Sequence, residues 1–170
     1  ATAYLEQVYF FRGDYERVVG LATDNLAALP ADSVFETFGA GLPIAIYERY
    51  RLFLSLAQLG RFAEAARYEA EALRLAELTQ HAYAVGMVHD GASWSHCLRG
   101  DWATARSLIE HGLAVFRSEN IVFELSLTVA TFAWVLAQGG DAGEALTQLR
   151  QAEALLERDA ASGLFTFHRS

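Results

Sequence analysis

Lysine is missing altogether, since all 13 basic side chains are arginines. That absence excludes Schiff-base catalysis, a phosphate-loop lysine and a Ser–Lys dyad. Cysteine is nearly absent: Cys97 stands alone, cannot close an internal disulfide, and gives no sign of an oxidising compartment. No apolar run approaches the roughly 18 residues of a bilayer span, which speaks against a transmembrane protein. Positive charge is in deficit, with 21 acidic side chains and a formal charge of -8, so phosphate backbones and anionic lipid are repelled. What is present in quantity is apolar: 53% hydrophobic against 20% charged over 170 residues points to one folded domain spanning 1–170, not to disorder. A chain of that length removes roughly 70% of its unfolded surface from water. The sequence begins at Ala1, and acidic Glu6 and polar Gln7 stand where a signal peptide has a basic stretch followed by an apolar one. The expectation is a cytoplasmic fragment of a longer chain.

Internal periodicity organises the rest. Gly13-Asp14-Tyr15, Gly60-Arg61-Phe62, Gly100-Asp101-Trp102 and Gly140-Asp141-Ala142 share one pattern, and the last three glycines are 40 residues apart. Small residues recur at fixed distances behind them, Ala65, Ala105 and Ala145, then Ala72, Gly112 and Ala152, where they let neighbouring helices approach closely. Each glycine follows one apolar helical stretch and precedes another, which makes it the stop between two antiparallel helices. Asp101 can cap its own helix, and Asp141 with Glu144 reads as a capping box. Helix pairs are predicted at 2–12 and 14–29, 44–59 and 61–78, 82–98 and 101–117, and 121–138 and 141–158. Pro30 falls just past a helix and Pro43 at the first position of the next. Strand alternation is missing, so the fold class is all-α with no sheet. The repeats run at about 1–30, 43–79, 81–118 and 120–158. An insertion at 30–42 is expected to pack through Val34, Phe35 and Phe38, and 159–170 reads as a partial fifth repeat or cap, with Phe165 and Phe167 in register with Leu125 and Leu127.

The Gly-Asp-Tyr/Trp-x-x-Ala turns behind Leu-rich helices resemble tetratricopeptide repeats, and Pro30 matches the proline that ends that motif. The resemblance covers nearly the whole chain, with a 40-residue period in place of the usual 34. It implies an α-solenoid of about four antiparallel helix pairs wound as a right-handed superhelix. Segments such as Leu-Ala-Gln-Leu-Gly-Arg-Phe-Ala-Glu-Ala (56–65) and Arg-Gly-Asp-Trp-Ala-Thr-Ala-Arg (99–106) are similar to the C-terminal helical arrays of bacterial signalling regulators, in which a cyclase-like or DNA-binding domain and an ATPase domain precede the repeats.

In such arrays the first helix of each pair lines a concave face. Carried over residue by residue, the resemblance places Tyr47, Tyr50 and Leu54, then Met87, Asp90 and Trp94, then Leu127, Ala130 and Trp134 in a groove. Leu54, Trp94 and Trp134 share one column. Two tryptophans along a groove have the character of binding hot spots, while the alternative is that they fill the seam between helices. Asp90 is the candidate polar contact, and Glu48, Arg49 and Arg51 accompany the tyrosines. The implied role is a non-catalytic regulatory module that takes a peptide, a protein or a neighbouring domain of the parent chain. The alternative is a small-molecule sensor with a pocket between Tyr47, Tyr50, Met87 and Trp94. An uncapped last repeat would leave Phe165 and Phe167 to pack on a second copy, giving a homodimer.

Other constellations fall short. His89 and His96 stand seven residues apart on one helix beside Cys97, wider than helical zinc pairs, with no third ligand evident nearby. His81, His111 and His168 read as solvated residues at helix edges, and Glu64, Glu69, Glu71 and Glu77 as a solvated helix face. Gly39-Ala40-Gly41 lacks the third glycine of a dinucleotide fingerprint, and Gly91-Ala92-Ser93-Trp94-Ser95 misses the hydrolase elbow. No catalytic residues, cofactor, metal, nucleic-acid or membrane contact is expected.

Overall fold

The computed structural model describes residues 2–30, 35–37 and 41–161. Among them are eight helices and no strand: α1 (Thr2–Phe11), α2 (Tyr15–Ala28), α3 (Ile44–Gln58), α4 (Phe62–Thr79), α5 (Ala82–Leu98), α6 (Trp102–Ser118), α7 (Leu125–Gln138) and α8 (Ala142–Ala161). None is long and apolar enough to cross a membrane.

Local chemistry accounts for the boundaries. Gly13, Gly60, Gly100 and Gly140 all have positive φ, between 74° and 90°, a conformation that costs a glycine nothing and strains other residues. Each closes the same terminus. Gly100 N–H donates to Cys97 O at 3.0 Å and Asp101 N–H to His96 O at 3.0 Å, and the pattern recurs at the three other glycines, satisfying carbonyls that the helix end leaves open. Asn120, at φ 54°, does the same for α6, where Ile121 N–H reaches Phe116 O. The Asp101 carboxylate caps α6 by accepting from Thr104 N–H at 3.2 Å. At Asp141 only half of the expected box forms: its carboxylate accepts from Glu144 N–H, and its own N–H goes to Leu136 O. Pro43 caps α3 from one residue before the helix begins.

Each helix packs on its chain neighbours, and α3 additionally meets α1 and α5. Because α3 is covered from several sides it is buried nearly all round, Glu48 and Arg51 included, and Ile46, Leu52, Phe53 and Leu56 are sealed within it. One core gathers about α3, α4 and the start of α5. A second joins Ile109, Leu113 and Phe116 of α6 to Val129, Phe132 and Leu136 of α7 and to Ala145 and Ala152 of α8. The small-residue positions Ala65, Ala72, Ala105, Gly112, Ala145 and Ala152 are all buried where helices cross.

Two α5 glycines are notches for aromatic rings. A Cβ on Gly86 would stand 2.1 Å from the Phe116 ring, and one on Gly91 would stand 2.5 Å from the Tyr50 ring. The insertion departs from expectation at Phe35, which is 60% exposed. Beside it, Glu36 O accepts from Ile44 N–H at 2.9 Å. Val34, Phe38, Phe165 and Phe167 lie outside the described residues.

Candidate functional site

The groove positions divide by burial. Tyr47 and Leu54 belong to the core around α3 and offer no surface to a partner, a correction to their placement on an open face. Tyr47 is engaged from within: its hydroxyl accepts from Arg51 Nε at 3.0 Å. The Arg51 guanidinium lies over the rings of Phe10, Tyr47 and Tyr50 at 5.2, 5.1 and 5.6 Å, where each π-face attracts the cation. Tyr50 is half-buried, edge-on to Phe53 and seated in the Gly91 notch. Glu48 is likewise corrected from groove to interior. Helix α3 therefore forms a floor and contributes little reachable chemistry.

Helices α5 and α7 face one another through three side-chain pairs. Tyr83 OH donates to Glu124 Oε1 at 3.3 Å, Thr128 stands against Asp90 and favours its charged form, and the Trp94 ring leans on Trp134 with centroids 5.3 Å apart and planes tilted by 37°. Trp102 of α6 meets Trp134 edge-on at 5.4 Å. Burial, with the Glu124 charge second, pushes the Asp90 carboxyl up to about 7. Burial also raises Glu124 above its ordinary range, against the Tyr83 hydrogen bond. Asp90 Oδ1 is sealed from solvent and has no hydrogen-bond partner. The Asp90 carboxyl thus titrates close to neutrality, beside Tyr50, Tyr83 and half-buried Met87.

Reachable surface lies further along the same helices. Trp94 is 36% exposed, Trp134 38% and Leu127 65%, while Ala130 is half-buried between them. Seam and surface are here combined, because the tryptophans pack on each other and still present a face to solvent. Sequence reasoning missed Tyr83, Glu124, Thr128 and Trp102. The available signal was the period, since Tyr83 and Glu124 stand close to one repeat apart, as do Trp94 and Trp134.

His96 and Cys97 do not converge into a nucleophilic pair. His96 is held by Glu69 at 3.0 Å and by Asp101 at 2.9 Å, and burial pushes the Cys97 thiol up to about 11, leaving it inert. Glu69 is buried in that contact, a correction to its place on a solvated face, whereas Glu64 pairs with Arg61 at the surface and Glu71 with Arg49. Comparison of the chain with family models, curated proteins and solved structures finds no match.

Proposed function

We propose that this chain is a tetratricopeptide-like helical array, non-catalytic in itself, that binds a protein segment or a neighbouring domain through the α5–α7 face as a regulatory module of a larger signalling protein. The array reading is supported by four identical glycine turns, the 40-residue spacing of the last three, and the packing of each helix on its chain neighbours. The binding reading rests on one observation: Trp94 and Trp134 stack in register one period apart, yet keep over a third of their surface open beside exposed Leu127. Rigid aromatic pairs of this kind give large contact area for little lost side-chain entropy. Asp90 and Glu124 supply the adjoining polar discrimination.

The test is capture by cross-linking from the native host, with Trp94→Ala/Trp134→Ala as comparison. The double variant should lose the captured partner by at least about tenfold, the scale of a hot-spot pair, while its helical circular dichroism stays at wild type. Unfolding of the variant would make both residues core and remove the groove.

A second reading draws on Asp90 Oδ1, a sealed oxygen without a partner. If the packing between Tyr50, Tyr83 and Met87 opened, a small ligand carrying an amine or other donor would satisfy it. Thermal-shift screening with small amines distinguishes the two: a stabilising hit abolished by Asp90→Asn favours the sensor.

A further inference from the structure

His89 is buried where α5 crosses α6, and the crossing is unusually close because glycines face each other there. A Cβ on Gly112 would stand 3.1 Å from Gly86 O and 3.3 Å from His89 Cβ. The residue before Gly112 is His111, and its ring lies on that of His89 with centroids 4.3 Å apart. Glu77, in the last turn of α4, reaches both rings: its Oε1 is 3.6 Å from His89 Nε2 and 3.5 Å from His111 Nε2. One ligand atom from each of the three lies within 4.8 Å of the others.

The proton arrangement on His89 gives this cluster its meaning. Its Nδ1 lies 2.9 Å from the Val85 carbonyl, which can only accept, so Nδ1 carries the hydrogen and Nε2 of the neutral ring carries a lone pair. That lone pair faces the Glu77 carboxylate, leaving two electron-rich atoms opposed unless a cation stands between them. The C-terminal end of α4 adds negative potential at the same spot.

We propose that Glu77, His89 and His111 form a binding site for a divalent transition-metal ion of the zinc type. Two imidazole nitrogens and one carboxylate oxygen suit zinc, cobalt or nickel, whereas magnesium and calcium take oxygen ligands. Ligands at 2.0–2.1 Å around a tetrahedral centre stand roughly 3.4 Å apart; the Glu77 oxygen meets the two imidazole nitrogens near that spacing, at 3.5 and 3.6 Å, and all three ligand atoms lie within 4.8 Å of one another. Glu77 and His111 are each about half-exposed and can close the remainder by small rotations, while His89 is oriented by Val85 as ligating histidines generally are. Three protein ligands leave a fourth position open for water or for a donor from a bound partner.

Isothermal titration with Zn²⁺ tests the site. One ion per chain is expected, with a raised melting temperature, no response to Mg²⁺, and visible absorption of the tetrahedral type when Co²⁺ is the probe. His111→Ala and Glu77→Gln, both at exposed positions that leave the fold intact, should each weaken Zn²⁺ by about tenfold or more. His96→Ala should leave it unchanged. Absence of Zn²⁺ binding, or binding that survives the His111→Ala/Glu77→Gln double variant, overturns the proposal. So does binding lost with His96→Ala, which would place the ion at Glu69, His96 and Asp101.

Discussion

Glu6 and Glu48 are among the most deeply buried side chains of the protein, an arrangement that water-loving carboxylates avoid unless something compensates. Asn25 Nδ2 donates to Glu6 Oε1 at 2.6 Å and to Glu48 Oε1 at 3.2 Å, and the two carboxyls hydrogen-bond to each other, which requires a proton on one of them. Burial first, and the Glu6 charge second, push Glu48 up to about 8, with Asn25 and Arg51 opposing. Since the folded chain keeps a proton that the unfolded chain releases, the contribution of this carboxyl to stability is fully present below the ordinary glutamate range and is lost as pH rises through about 8. Asp90, pushed up to about 7, acts in the same direction. The melting temperature should accordingly be lower at pH 8 than at pH 5.5, and Glu48→Gln, which carries a permanent hydrogen-bond donor, should flatten much of that slope. An unchanged slope in the variant would assign the effect to other groups. None of this was legible in the sequence, because positions 6, 25 and 48 lie on three helices with no common spacing.

At the scale of the helix, the sequence was read well wherever the governing chemistry is local. Glycines at the turns, the Asp101 cap and the apolar periodicity place every helix within a few residues of where it stands, and α8 continues past the predicted end to Ala161. Gly86 and Gly91 carried no such signal, since a helical glycine reads as a simple cost of about 1 kcal/mol until its neighbour is known. The neighbour decides the sign. Gly86→Ala drives a methyl into the Phe116 ring, which is fully buried and cannot retreat, so a loss of about 1–3 kcal/mol is expected in urea denaturation. Phe116→Leu in the same chain should recover part of that loss, because the smaller side chain vacates the notch. If Gly86→Ala instead stabilises, helix propensity outweighs the crossing.

For the molecule as a whole, the proposed array makes a prediction about cooperativity. Helix α3 is covered by α1, α2, α4 and α5, whereas α1 leaves Tyr4, Leu5, Val8 and Phe11 exposed and α8 leaves Leu146, Leu149 and Leu156 exposed. Stability in a stacked array is a sum of neighbour contacts, so the ends should open before the centre. Native-state hydrogen exchange should show α3 and the first half of α5 as slowest, with α1 and α8 faster by at least about tenfold, the factor given by 1.4 kcal/mol of local opening free energy. Uniform exchange across all eight helices would describe a single cooperative globule and count against the array.

Read alone, the residues determined that the described part of the chain is helical without a strand, where its helices begin and end, and that one pattern returns at a fixed interval, because capping, left-handed glycines and apolar periodicity act over a few neighbouring residues. They also singled out Asp90, and Trp94 with Trp134, whose shared column follows from the repeat itself. Tertiary structure alone decided that Tyr47, Leu54, Glu48 and Glu69 are interior, that Asp90 meets Thr128 beside Glu124, and that Glu77, His89 and His111 converge from three helices. The physical reason is that side-chain meetings across a helix crossing depend on how closely and at what rotation two rods approach. Here that approach is set by glycines whose neighbours lie tens of residues away in the chain.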